Sequence, residues 1–186
     1  MRLLSPAEER ALREVSASLG VQRDWLYALI NFESGFNPGA TNKITGARGL
    51  IQFLPSTAQS LGYAAGAAGN AADTLVAQNP NIESQLRFPV LSYLTPFKPF
   101  PTDYSLFMAV FYPKARGWSP ATPFPDSVRA ANPGLTCPRD YVDLVYRHAK
   151  MQRVAATGSG FFLLTVAVAA IYLYHKRRKG TLHHVH

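Results

Sequence analysis

Residues 31–38 read NFESGFNP, and the reading of this stretch decides the fold. Upstream of it, DWLYALI over residues 24–30 places Leu29 and Ile30 four and three residues before Glu33, with Leu26 one turn further back. A carboxylate on that stripe belongs to the face a helix buries. Burial without a cationic partner favours the neutral form and raises a glutamate's pKa, which is what a general acid working near neutral pH needs. The periodicity equally allows a wet carboxylate at the rim of the helix end, so the spacing alone leaves both open. Glu33 is also solitary, because no Asp or Glu occurs between it and Asp73.

Outward from this stretch the chain reads as helical. Ser5, Pro6 and Glu8 form a helix start, with a capping hydroxyl, a proline where no N–H is needed and a glutamate three residues after the cap. The helix is predicted to run to Leu19 and stop at Gly20. A second helix is predicted over 23–33, followed by a turn-rich loop over 35–49. LPSTAQSLG gives a short helix with Pro55 in its first turn and Gly62 past its end, and residues 63–70 read as a surface loop. Ile82, Leu86, Val90, Tyr93 and Leu94 recur at helical spacing, with Pro89 predicted to kink or break the helix. TDYSLFMAVFY reads as an apolar helix capped by Thr102 and ended by Pro113. Residues 117–138, with five prolines, read as an irregular crossing, and 139–151 as a last amphipathic helix. No stretch alternates convincingly with period two, so the fold class is mostly α.

Composition bounds the rest. The length suits one domain with an appendage. Of the formal charge of +8, four positives stand in one run, Lys176 to Lys179, which leaves a body of +4. Such a body suits a polyanionic partner such as a cell-wall polymer, and equally serves solubility. The single cysteine, Cys137, excludes an intramolecular disulfide and a cysteine zinc cluster. The N-terminal residues are dense in charge and lack the apolar run of a signal peptide. FFLLTVAVAAIYLY, residues 161–174, is uncharged, and extended back to Val154 it reaches the ~20 residues of a membrane span, with Tyr172 and Tyr174 beside the basic run as interfacial anchors. The expected organisation is therefore a domain over 1–153, a single transmembrane helix over 154–175 and a basic, His-rich tail over 176–186. The rival for the apolar segment, a buried core helix, would show a polar face.

The blocks ESGFNP (residues 33–38), TGARGLIQFLPSTAQSLG (residues 45–62) and MAVFYPKARG (residues 108–117) resemble the lytic transglycosylases that share the goose-type lysozyme fold. That pattern is a Glu-Ser pair ending a helix, then Gly-Ala-x-Gly-Leu-(Met/Ile)-Gln-x-x-Pro-x-Thr-Ala, then an aromatic-Tyr-Asn at the end of a buried helix. The first two blocks match closely. In the third, Pro113 stands where the pattern has Asn, a form similar to that of phage-encoded, virion-associated members.

The resemblance implies cleavage between N-acetylmuramic acid and N-acetylglucosamine in peptidoglycan, with a 1,6-anhydro product. Glu33 would protonate the bridging oxygen and then take the proton of the sugar's own 6-hydroxyl. That scheme accounts for the lone acid, since ordinary glycosidases need two carboxylates. Gln52, Tyr112, Tyr93 and Thr45 are the implied substrate-binding residues, Ser34 is read as holding the helix end, and Gly46 and Gly49 as letting backbone approach the ligand. No cofactor or metal is implied, and His183, His184 and His186 are read as tail residues rather than ligands. The implied partners are peptidoglycan strands, a lipid membrane through the C-terminal helix, and other virion proteins or the genome through the basic tail, without specific nucleic-acid recognition. The implied location is a single-pass C-terminal anchor in a virion membrane or host inner membrane, with the domain on the cell-wall side. Two rivals accompany this reading: a hydrolytic lysozyme on the same scaffold, and a structural virion or membrane protein that binds glycan without cutting it.

Overall fold

Ser5 starts the first helix as its sequence demands. Its hydroxyl accepts from the Glu8 amide at 3.2 Å, and the Glu8 carboxylate accepts from the Ser5 amide at 2.7 Å, closing a capping box. In the computed structural model, which describes residues 2–155, this helix is α1 (Pro6–Leu19), and it ends at Gly20 in the left-handed region at φ 70°. Its buried stripe of Leu12, Val15 and Leu19 faces α2 (Arg23–Ser34). Arg23 locks the pair by reaching the Glu9 carboxylate at 2.5 and 3.1 Å and lying 4.5 Å above the Tyr27 ring.

Two successive left-handed residues end α2, Gly35 at φ 60° and Phe36 at φ 58°. Phe36 carries a Cβ, so the conformation costs about 1–2 kcal/mol. Its ring is fully buried, 4.8 Å from that of Tyr27. Burying a phenylalanine contributes about 1.5–3 kcal/mol, enough to hold the turn in place.

Two short helices follow, α3 (Pro55–Ser60) and α4 (Ala71–Gln78), packed on each other. The sequence reading did not foresee α4, although Asn70 and Asp73 form its capping box. Around Pro89 the regular α-helix is interrupted, but the helical run continues. It passes from α5 (Ile82–Gln85) through a π-helical turn (Leu86–Val90) containing that proline into α6 (Leu91–Leu94). The wider turn accommodates a ring that has no N–H and would crowd a regular α-helix.

The apolar helix α7 (Asp103–Phe111) is capped by Thr102 as expected and buried along most of its length. The crossing contains one further helix, α8 (Asp126–Ala131), before α9 (Pro138–Ala155). Asp140 fixes the start of α9 by accepting from Thr136 and Cys137 amides at 2.7 and 3.0 Å and from the Thr136 hydroxyl at 2.6 Å. These bonds, led by that from the Thr136 side chain, hold the Asp140 carboxyl below its ordinary range. α9 packs against both α2 and α7, and Tyr146 donates to Asp103 at 2.5 Å across the second contact. Among the described residues the only β-pairing is isolated bridges, so the fold is mostly helical.

The expected transmembrane helix over 154–175 is corrected here. No helix of the described residues is long and apolar enough to cross a membrane. Val154 and Ala155, where the span was to begin, are instead the last residues of α9, an 18-residue helix carrying Arg139, Asp140, Asp143, Arg147, Lys150 and Arg153. That charge density is incompatible with a lipid environment. The remainder of the expected span and the tail over 176–186 lie outside the described residues. The fold class is a mostly helical domain, and no helix of the described residues supplies the expected single-pass anchor or its membrane location.

Candidate active site

Glu33 sits in the last turn of α2, and the stripe that leads to it, Leu26, Leu29 and Ile30, is fully buried. The residue itself is half-buried. Withdrawal from water pushes its carboxyl from the ordinary 4.5 up to about 7, against the opposing effect of a hydrogen bond from Tyr141. The Tyr141 hydroxyl donates to Glu33 Oε1 at 2.5 Å from the first turns of α9. Burial, and then the nearby Glu33 charge, raise that hydroxyl's own pKa well above 10. Among the described residues no cation and no second carboxylate bears on Glu33's titration.

Aromatic rings fix this pair. Tyr141 is fully buried, stacked on Phe111 at 4.3 Å and 18°, and met edge-on by Phe32 at 5.6 Å. Tyr93, on α6, also stands close enough for the Glu33 charge to matter. Its pKa is pushed up to about 12, first by burial and then by that charge. Its hydroxyl donates to the Ala109 carbonyl at 2.8 Å, and its ring meets Phe53 and Phe97 edge-on.

Through Phe53, Tyr93 touches the loop that carries Gln52. That loop is stitched at both ends. Arg48 and Phe53 exchange backbone hydrogen bonds at 3.0 and 2.8 Å, and the Arg48 guanidinium reaches Asp73 at 3.1 Å. Gln85, fully buried at the end of α5, accepts from Leu50 N at 2.9 Å and donates to the Pro38 and Asn79 carbonyls at 2.8 and 2.9 Å. Gly49 must be glycine, for at φ 77° an added Cβ would lie 2.6 Å from Gln85 Oε1. Gln52 itself adopts φ 55°, a strained value for a residue with a side chain, and its Nε2 donates to the Gly49 carbonyl at 3.0 Å. The backbone closes the same turn through Gln52 N to Gly49 O at 3.2 Å.

The site thus holds a half-buried acid ending one helix, a Gly-rich loop carrying Gln52, and Tyr93 and Tyr141 beside the acid. Residues 11–86 match the family model described as the transglycosylase SLT domain. The match spans less than half of the chain. The match supports a lytic transglycosylase, a lyase acting on peptidoglycan. No solved structure matches the chain.

The matched stretch contains Glu33, Thr45 and Gln52, and it ends at Leu86. Tyr93, Tyr112 and Tyr141 come from the chain beyond it. The expectation for Tyr112 was a bond near the acid or to the substrate. The structure instead packs its buried ring edge-on to Trp118 and Phe124, and the hydroxyl that reaches Glu33 is that of Tyr141. The departure at Pro113 helps explain this, since the residue before a proline is driven to extended backbone and Tyr112 lies at φ −149°, ψ 85°.

Thr45 is almost wholly buried, and its hydroxyl accepts from Ala47 N at 3.2 Å inside its own loop. Ser34 bonds back to the Ile30 carbonyl at 3.3 Å, a helix-end role. Among the described residues no group of three His, Cys, Asp or Glu side chains is placed to hold a metal ion. His183, His184 and His186 lie outside the described residues. Sequence reasoning missed Tyr141 altogether. Its signal was an aromatic residue on the apolar face of the helix at 139–151, which reads as ordinary core.

Proposed function

We propose that this domain cleaves the bond between N-acetylmuramic acid and N-acetylglucosamine without water, with Glu33 performing both proton transfers. In the first step the glycosidic C–O bond breaks and the Glu33 proton goes to the leaving oxygen. In the second, the Glu33 carboxylate takes the proton of the muramic 6-hydroxyl while that oxygen bonds to the anomeric carbon, closing the 1,6-anhydro ring. Atoms and charge balance, and Glu33 is protonated again at the end.

The observation that carries this reading is the isolation of Glu33: a half-buried carboxyl raised to about 7, with no second carboxylate among the described residues shifting it. Two-carboxylate hydrolysis needs a partner about 5–10 Å away to act as nucleophile or to activate water. A nucleophile supplied by the substrate removes that need. Gln52, held in a strained loop conformation with a hydrogen-bonding amide at the half-buried surface, is assigned to the sugar. Tyr93 is assigned to the same groove, and the domain extends over residues 1–153.

The finer role is wall penetration by a virion-associated enzyme, supported by the Phe111-Tyr112-Pro113 form of the third block. Detection of the chain in purified particles, together with wall-degrading activity of those particles, tests it. The chemistry is tested by mass spectrometry of digested peptidoglycan. Anhydro-muropeptides from wild type and none from Glu33→Gln are expected. A hydrated reducing end would establish the hydrolytic reading, and full activity of Glu33→Gln would remove Glu33 as the catalyst.

A further inference from the structure

Gln85 is fully buried, and it spends its amide on backbone groups from three separate segments. We infer that Gln85 is a positioning residue for the reaction: it ties the loop that carries Gln52 to the turn that follows Glu33, so that one buried amide sets where the sugar-binding glutamine stands relative to the acid. The inference rests on Glu33 being the acid and Gln52 a sugar contact, as proposed above.

Three bonds account for the amide. Its Oε1 accepts from Leu50 N at 2.9 Å, and its Nε2 donates to the Pro38 carbonyl at 2.8 Å and to the Asn79 carbonyl at 2.9 Å. Both N–H groups are used, and one donor and two carbonyls around the group admit a single orientation of the amide. An aliphatic side chain would satisfy packing at this position, as it does at Ile82 and Leu86. A polar group buried there is tolerated because its bonds are made, and what distinguishes it from an aliphatic neighbour is the backbone it joins.

The Pro38 end of the tie is the fixed one. Pro38 lies two residues past Phe36, whose buried ring holds the left-handed turn at the end of α2. Around it, Asn37 N and Ala40 N bond to the Ser34 and Asn37 carbonyls at 3.0 and 3.1 Å. Asn79 is anchored as well, its side chain donating to the Leu75 carbonyl at 2.9 Å and to the Tyr63 hydroxyl at 3.0 Å.

The Leu50 end is the one that needs holding. Leu50 stands between Gly49 at φ 77° and Gln52 at φ 55°, and the second of these is strained for a residue with a side chain. Gly49 N attaches the start of the loop to the Ala40 carbonyl at 3.0 Å, and Gln85 attaches it one residue later. The backbone approaches the amide so closely that a Cβ at Gly49 would lie 2.6 Å from Gln85 Oε1, so the glycine and the glutamine fit each other. Releasing the loop lets Gln52 drift from the sugar, and a misplacement of about 1 Å can cost up to about a hundredfold in rate.

The test is a double-mutant cycle in the full chain. Gln85→Met keeps the length of the side chain and removes the amide. Soluble glycan strands are the substrate, and rates are taken at a temperature where circular dichroism shows every variant folded. Gln85→Met is expected to lower kcat/KM on the order of tenfold when Gln52 is present, and by less than about twofold in the Gln52→Gly background. A general loosening of the fold would cost the same in both. Equal losses in the two backgrounds, or no loss when Gln52 is present, overturn the inference. Glu33→Gln and Gln52→Gly are assayed alone alongside. If both lose activity while Gln85→Met costs the same in either background, only the role of Gln85 fails. If either keeps full activity, the proposed site itself fails.

Should Gln85→Met not fold, amide hydrogen exchange on the wild-type protein decides. The Leu50 amide is expected to exchange as slowly as those of Leu29 and Ile30 in the buried stripe of α2. Exchange at Leu50 more than about tenfold faster shows the tie opening within the folded protein and overturns the inference.

Discussion

Replacing Glu33 with glutamine is expected to stabilise the protein, and by an amount that depends on pH. The Glu33 carboxyl titrates at an ordinary 4.5 when the chain is unfolded and at about 7 when folded. Below pH 4 both states hold the proton and the residue contributes no pH-dependent difference. As pH rises through 4.5 the unfolded chain ionises first, so folding is opposed. The opposition grows until the folded carboxyl also ionises near 7, after which it is constant. At about 1.4 kcal/mol per pH unit the accumulated loss is about 3 kcal/mol, an upper figure for a carboxyl that keeps some contact with water. A glutamine in its place cannot ionise, yet the side-chain oxygen can still accept from Tyr141, so the variant avoids that loss while keeping the bond. Urea unfolding of both proteins at half-unit steps from pH 4 to 8.5 is the assay. Stabilities should be within ~0.5 kcal/mol at pH 4 and diverge to about 2–3 kcal/mol in favour of the variant at pH 8, or roughly 5–10 °C in Tm for a domain of this size. A difference that does not change with pH would refute the assignment of a raised pKa to Glu33.

Three further outcomes follow from the geometry. The rate of wall cleavage should decline above pH ~7 with the loss of the Glu33 proton, as read from initial rates across pH 5–9; a basic limb beginning above 9 would contradict the raised carboxyl. Gln85→Leu leaves Leu50 N, Pro38 O and Asn79 O without their partner, each about 1–3 kcal/mol when buried, so a loss of at least ~3 kcal/mol in urea unfolding is expected. Gln52→Gly relieves the positive φ but removes the Nε2–Gly49 bond, so stability should change by less than ~1 kcal/mol while activity on glycan strands falls more than tenfold; retained activity would exclude Gln52 from the sugar groove.

What was legible in the sequence was local. The Ser5–Glu8 box, the Thr102 cap and the buried stripe Leu26–Leu29–Ile30 follow from spacings of three and four residues, which helical geometry enforces wherever the helix lies. Gly49 is legible as a special position, because its φ demands glycine, though the Gln85 side chain it makes room for is not. What was hidden depends on distance along the chain. Tyr141 lies 108 residues from Glu33, and nothing in DYVDLVYRH distinguishes a tyrosine that reaches an acid from one that fills a core. Gln85 sits 35 residues from Leu50 and 47 from Pro38, and its three bonds exist only because the loop and α5 meet. Pro89 does interrupt the regular α-helix, and what stayed hidden is that the chain continues through it in a π-helical turn. The expected span misled at its start, since hydropathy was carried back to Val154 and Ala155, which belong to the charged helix α9.

One acid performing two opposite proton transfers faces a constraint that a two-carboxylate site avoids. As an acid it must give up its proton readily, and as a base it must recover one, so a pKa far from the working pH would speed one step and slow the other. Desolvation alone would push Glu33 upward and leave a reluctant donor. A hydrogen bond to the charged form alone would pull it down and leave a poor base. At Glu33 both act on the same group in opposite directions, burial raising it and Tyr141 lowering it, and they leave it at about 7. The position of the balance depends on two separate parts of the chain, since α2 carries the acid and α9 supplies the hydroxyl. A site that borrows its nucleophile from the substrate therefore still needs a second residue beside its acid, one that tunes the carboxyl rather than attacking the sugar.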